Sequence, residues 1–324
     1  MPSAPALRYR AVLATTLVLV SSTAATRGAG MRAQSGPEPK AQRPMPHQSG
    51  GAPAFDSGRA FEHVRQFVAI GPRPAGSPGI EQARRYIGDQ IRSSGLSVTE
   101  QPFDAETPLG AVKMINLSVV LPGASPDRLL ITGHYDTKLF RRFRFVGAND
   151  GGSSAAMLLE VARVLKGRRN PFTIELVFFD GEEAALEWEG TDHTYGSRHY
   201  VEAARAAGTL KAIRAMVLLD MVADRSLNIR RESGSTPWLT EIIWSTAERL
   251  GYGSSFPDNP RLVQDDHVPF LEAGVPAVDI IDLDYAAWHT PNDTLENVSA
   301  RSLQTVGDVL IAALPEIEAR LRRQ

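Results

Sequence analysis

The sequence predicts an α/β protein: a single three-layer α/β/α domain around a mixed, mainly parallel central sheet. Three observations carry that expectation. Apolar runs at 129–132, 172–179, 215–219 and 276–281 are nearly continuous rather than alternating, as strands covered on both faces are. Helix-patterned segments separate them, which is the order of a parallel sheet with helical crossovers. Each run leads into His, Asp or Glu, and in open parallel sheets the ligand crevice lies outside the carboxyl ends of the strands.

The elements follow in order. Residues 57–70 read as a helix. Ser77 can cap a second helix over 78–94, which Gly95 would end because it tolerates the left-handed turn beyond a helix. Residues 96–104 and 112–121 read as strands joined by a Pro/Gly turn, a hairpin that adds antiparallel strands at one side. Strand 129–132, helix 152–166, strand 172–179, helix 197–207, strand 215–219, helix 237–250 and strand 276–281 come next. A long closing helix over 300–320 is expected to kink or break at Pro315, which has no N–H to donate.

The 324-residue chain is long enough to bury a full core. Arg8 and Arg10 precede an apolar run over 11–20, and small residues follow over 21–25. That is the order of a secretory signal, and the run is short for a membrane span; an uncleaved anchor is the other reading. Residues 26–53 are rich in Gly, Pro, Gln, Ser and Arg and read as a disordered linker. The expected organisation is a signal peptide over 1–25, the linker over 26–53 and one folded catalytic domain over 54–324. Export would place a monomer outside the cell or in the periplasm, with no stable membrane span after signal cleavage. The chain has no Cys, hence no disulfide and no lipid-anchoring thiol. A net charge of -2 without a long basic run argues against nucleic acid as partner.

The most informative stretch is Phe178-Phe179-Asp180-Gly181-Glu182-Glu183, an apolar strand that ends in two adjacent carboxylates. One carboxylate of such a pair can hold a divalent ion while the other stays free as a base. Adjacent Glu residues also occur on solvated surfaces. Three further strand ends deliver His134-Tyr135-Asp136, Asp220 and Trp288-His289, so four segments bring ionisable groups to one edge. Asp150, in Gly147-Ala148-Asn149-Asp150-Gly151-Gly152, reads either as a metal ligand or as a helix N-cap.

These motifs resemble the zinc-dependent exopeptidase family of co-catalytic aminopeptidases, over about residues 55–320. Within it the chain is similar to the glutaminyl-peptide cyclotransferases (glutaminyl cyclases). Aminopeptidases typically follow the Glu pair within a few residues by Gly-Ser. Here Ala184 through Tyr195 intervene before Gly196-Ser197, and Trp188 lies in that insert. The segment from Gln264-Asp265-Asp266-His267 to Phe270, and Trp288 directly before His289, are also cyclase-like. One departure is that glutaminyl cyclases carry an aromatic four residues before this Trp; Asp284 stands there, and the aromatic is Tyr285.

The resemblance implies one Zn2+ on Asp150, Glu183 and His289, polarising the γ-carboxamide of an N-terminal glutamine. Glu182 would act as base and then acid, with Asp220 and Asp265 sharing its hydrogen bonds. Trp188, Trp288 and Gln264 would hold the substrate, which is the N-terminus of a peptide or protein; the product is pyroglutamate. The alternative is a secreted di-zinc aminopeptidase, with a second metal on His134 and Asp220 and Asp150 bridging. A binding protein on a dead scaffold would need a lost base or ligand, and all are present. Asp136 would orient His134. His193 and His199 read as surface or hydrogen-bonding residues, and His267 as ordering its loop.

Overall fold

A computed structural model describes residues 53–323. The expected signal peptide (1–25) and all but the last residue of the expected linker (26–53) lie outside the described residues. Six strands form the central sheet: β1 (Thr99–Thr107), β2 (Gly110–Leu121), β3 (Gly123–His134), β4 (Asn170–Phe179), β5 (Ile213–Asp220) and, after two short strands, β8 (Ala277–Ile281). Their spatial order is β1-β2-β4-β3-β5-β8. β1, β2 and β4 pair antiparallel, whereas β4, β3, β5 and β8 run parallel. The expected hairpin is therefore β1 and β2, at one side of a parallel sheet.

The unbroken apolar runs have the physical cause anticipated for them, because alternate residues enter opposite layers. Leu129, Ile131, Leu176 and Val217 pack with α1 (Ser57–Ile70), α2 (Pro78–Ser93), α3 (Gly152–Leu165), α5 (Pro237–Arg249) and α7 (Ala300–Leu321). Leu130, Val177, Met216 and Leu218 face the other way, onto α4 (Tyr195–Ala206) and the short α6 (Val268–Glu272). The result is three layers, α/β/α.

Capping chemistry sets several helix ends. The Asp56 carboxylate accepts from the N–H groups of Gly58 and Arg59 at the start of α1, and Ser77 accepts from Ile80 at the start of α2. Past α2, Gly95 takes φ 71° and Leu96 N–H returns to the Ile91 carbonyl, closing the helix as its sequence suggests. α7 does not break at Pro315: it continues helical to Leu321, its apolar face locked by Val306, Leu310, Leu314 and Ile317. Packing has overridden the local penalty. Two short strands, β6 (Arg231–Glu232) and β7 (Pro260–Arg261), pair with one another, and together with α6 they are too short to leave a periodic signal. Among the described residues no helix is long and apolar enough to cross a membrane.

Candidate active site

The parallel strands end level with one another. His134 at the end of β3 lies opposite Phe179 of β4, and Asp220 of β5 lies opposite Ile281 of β8. Beyond that edge lies a cleft of about 420 Å³. Asp150, Glu182, Glu183, Trp188, Asp220, Gln264, Asp265, Trp288 and His289 all line it. His134 sits beneath, 1 % exposed. The structure thus gathers every sequence-predicted site residue at one place.

Asp150 precedes α3 without capping it: the cap is Gly151, with no side-chain bond. The N-cap alternative therefore fails, and the carboxylate is free to face the cleft. Gly147 (φ 53°) and Gly151 (φ 75°) make the approach possible, because a Cβ at either would strike the carbonyl of Asp150 or Asp136.

Asp150, Glu183 and His289 each offer a ligand atom within 4.8 Å of the others. His289 Nε2 lies 3.1 Å from Glu183 Oε1 and 3.3 Å from Asp150 Oδ2. A second cluster shares Asp150: His134 Nε2 lies 3.1 Å from Asp220 Oδ1 and 3.4 Å from Asp150 Oδ1.

Two further carboxylates hold these groups by the backbone. Asp293 accepts from the N–H groups of Asn149 at 2.8 Å and Asp150 at 3.1 Å. Asp136 accepts from those of Glu182 and Glu183, each at 3.2 Å, while its Oδ1 lies 3.3 Å from His134 Nδ1, the orienting contact expected of it. Arg73, wholly buried, closes the base of the site by donating to the carbonyls of Tyr135, Val146 and Gly147. His289 (φ 53°) and Met221 (φ 44°), the latter directly after Asp220, both take the left-handed backbone that is costly for residues with a Cβ.

Burial raises the Glu182 carboxyl well above its ordinary range, and the neighbouring Asp265 and Glu183 add to the effect against the pull of His134. Glu183 rises to about 7 through burial and the Asp150 charge. Burial also raises Asp265, helped by Asp279, Asp220 and Asp266. Burial alone would depress His289, but Asp150 and Glu183 outweigh it and lift the imidazole to about 10. The site is a concentration of negative charge that a cation or a shared proton would relieve.

Trp188 reaches the cleft from the segment between Glu183 and α4. Its ring stacks on His193 at 4.3 Å, and Asp192 ties the segment down by accepting the N–H groups of Ala185, Leu186 and Glu187. Of the two readings for His193, the hydrogen-bonding one holds: it is buried at 8 % exposure, with Nδ1 3.1 Å from Thr194 Oγ1. His199 stacks on Phe103. His267 is enclosed between Glu232, 3.2 Å away, and Asp279, as a loop-ordering role requires. Tyr285 does not line the cleft; it is buried and donates to Asp293 at 2.8 Å. Leu283, two residues earlier, takes a place on the cleft wall.

Arg73, Asp192 and Asp293 escaped sequence reasoning as supports. Asp293 lies four residues after His289, but its task depends on a backbone fold that no spacing reveals. Arg73 lies before the first β-strand, far along the chain from the groups it holds.

Comparison with known proteins adds to this geometry. The model of peptidase family M28 matches residues 116–314. A glutaminyl-peptide cyclotransferase-like protein of Mus musculus is 32% identical over 75% of this chain and 72% of its own length. The crystal structure of Acidobacteriales bacterium glutaminyl cyclase superposes with TM-score 0.80 at 38% identity, covering 86% of this chain and 100% of that one. Porphyromonas gingivalis glutaminyl cyclase gives TM-score 0.75 at 30% identity, over 81% and 99% of the two chains.

Proposed function

Because the chain belongs to peptidase family M28, and within it to the glutaminyl cyclases, we propose that it is a glutaminyl-peptide cyclotransferase. It converts an N-terminal glutamine to pyroglutamate with release of ammonia. The observation that carries this reading is the meeting of Trp188 and Trp288 with Glu182 and Asp265 in one cleft. Two indole walls beside a buried acid suit a flat carboxamide side chain better than an open peptidase groove would.

The metal-binding residues fit zinc. Asp150 Oδ2 and Glu183 Oε2 are buried and without a hydrogen-bond partner, and an imidazole nitrogen stands beside them. Two such oxygens and one imidazole form a three-ligand set of the kind zinc enzymes use when a fourth position is left for substrate. Bound there, zinc would supply Lewis acidity toward the γ-carboxamide oxygen.

The chain's own groups do the rest. The neutral α-amine of the substrate attacks its own side-chain carbonyl carbon; one C–N bond forms, and the bond to the leaving nitrogen breaks. The attacking nitrogen sheds a proton and the departing ammonia takes one up. Glu182 serves both transfers, since burial raises its carboxyl above the ordinary range and lets it hold the proton between the two steps. Asp220 and Asp265 border the same space and share the proton traffic. Trp188, Trp288 and Gln264 hold the glutaminyl residue in place.

A single zinc on Asp150, Glu183 and His289 suffices for this chemistry. The His134–Asp150–Asp220 cluster is the feature that favours a di-zinc aminopeptidase, in which Glu182 would activate water. We place the enzyme outside the cytoplasm as a monomer acting on peptide N-termini, on the signal-like order of residues 1–25.

Mass spectrometry of two short peptides separates the readings. A peptide with N-terminal Gln should lose ammonia faster than an enzyme-free control, while one with N-terminal Leu stays intact. Removal of the whole first residue from either peptide would replace the cyclase with an aminopeptidase.

A further inference from the structure

The segment from Lys138 to Arg144, in the loop between β3 and α3, reads Lys-Leu-Phe-Arg-Arg-Phe-Arg and contains no acidic residue. It borders the cleft. Lys138 lines the cavity, and the ring of Phe140 stands 5.4 Å from that of the metal-site residue His289. Phe140 also stacks on Phe143 at 4.5 Å and meets Phe145 edge-on at 5.2 Å, so an aromatic base fixes the loop.

On that base Arg141 and Arg142 are exposed. Some exposed arginines, such as Arg65, Arg85, Arg92 and Arg249, sit against carboxylates, whereas others, such as Arg205 and Arg301, do not. Arg141 and Arg142 have none within ion-pairing distance among the described residues. Lys138 is different: its ammonium is occupied by the carbonyls of Ala184 and Leu186. Arg144 rests beside Gly71 instead. The segment that Lys138 holds continues into Glu187, which lines the cavity, and Glu189, which is exposed. The two unpaired arginines are therefore carried by a loop that packs against His289 through Phe140.

This arrangement selects among substrates. A glutamine held at the metal site leaves the rest of its peptide to pass out over the surrounding loops, and the arginine loop is one that touches His289. We propose that Arg141 and Arg142 form a docking surface for acidic side chains a few residues after the N-terminal glutamine, so that the enzyme favours acidic N-terminal segments. The inference rests on the cyclase reading and names its substrate class. Arg suits the role because its planar fork meets a carboxylate with two parallel hydrogen bonds. Exposed pairs are individually weak, so the effect appears mainly as salt-sensitive capture.

The test uses the full chain loaded with zinc and three substrates: Gln-Gly-amide, Gln-Gly-Glu-Glu-Ala and Gln-Gly-Lys-Lys-Ala. At about 0.01 M salt, where screening reaches only beyond about 30 Å, kcat/KM for the acidic peptide should exceed that for the basic one by about five-fold or more. The ratio should fall toward one at about 1 M salt, where the screening length is about 3 Å. It should fall likewise in the R141S/R142S variant, while turnover of Gln-Gly-amide stays unchanged. Equal rates, a preference for the basic peptide, or a ratio that survives in the variant would overturn the proposal. Sedimentation with phosphatidylserine vesicles that depends on the two arginines, without any peptide preference, would also overturn it and make the loop a lipid contact. If wild type leaves Gln-Gly-amide uncyclised, the cyclase reading fails first and is seen to fail separately.

Discussion

At the scale of single residues, the site is a set of carboxylates in different environments. Glu182 has no place in the Asp150–Glu183–His289 cluster, so its acidity is available for proton transfer. Glu182→Gln should therefore retain zinc by elemental analysis and lose turnover by about 100-fold or more. Asp180, one turn of chain away, is buried and pushed up to about 7 from 3.8, by burial first and the Asp136 charge second. Its Oδ2 accepts from Ile115 N–H, while Oδ1 has no partner. A carboxyl raised in the fold contributes stability below its unfolded value, and that contribution is lost as pH rises through about 7. Asp180→Asn removes the titration and can keep the Ile115 bond. Melting temperatures measured from pH 5 to pH 8 should show the variant gaining on wild type as pH increases; parallel curves would refute the account. The proposed ligands and Glu182 were legible through the family resemblance their motifs carry, whereas strand-end position alone left solvated and capping readings open. Arg73 was not, because a buried arginine donating to carbonyls leaves no pattern in sequence.

At the scale of elements, apolar continuity and capping residues made most of the fold legible. Strand cores were placed correctly, while their ends were extended by pairing: β3 starts at Gly123, where it meets Asn170 of β4, although only 129–132 is continuously apolar. What was illegible was either very short, like α6, or decided by tertiary packing, like the passage of α7 through Pro315. Pro315 cannot donate a backbone hydrogen bond and its ring crowds the preceding turn. Because Pro315 is exposed, Pro315→Ala removes no core contact. It should raise stability by about 1 kcal/mol or more, read from the urea midpoint at unchanged slope. An unchanged midpoint would mean that α7 already accommodates the ring without cost.

At the scale of the whole molecule, the two faces of the sheet are closed by separate apolar clusters, and the site lies at the strand ends beyond both. The residues proposed to hold the metal come from three loops, which a bound ion would cross-link. A chelator should therefore lower the melting temperature as well as abolish activity, and zinc should restore both, since a ligand bound only by the fold stabilises it by mass action. Elemental analysis of the restored protein counts the ions: one supports the cyclase chemistry, two the shared-Asp150 arrangement. A melting temperature indifferent to chelation would show that the loops hold their form without metal.

The order of the strands has a consequence in time. Asp150 and Glu183 follow β3 and β4, but His289 comes only after β8, the edge strand and the last to be made. A growing chain that has already paired β3 with β4 holds two carboxylates without the imidazole that completes the set. It can bind zinc only as a loose acidic pair does. On the proposed ligand set, no product truncated before residue 289 can carry the complete centre, so tight zinc binding would report that synthesis has passed β8.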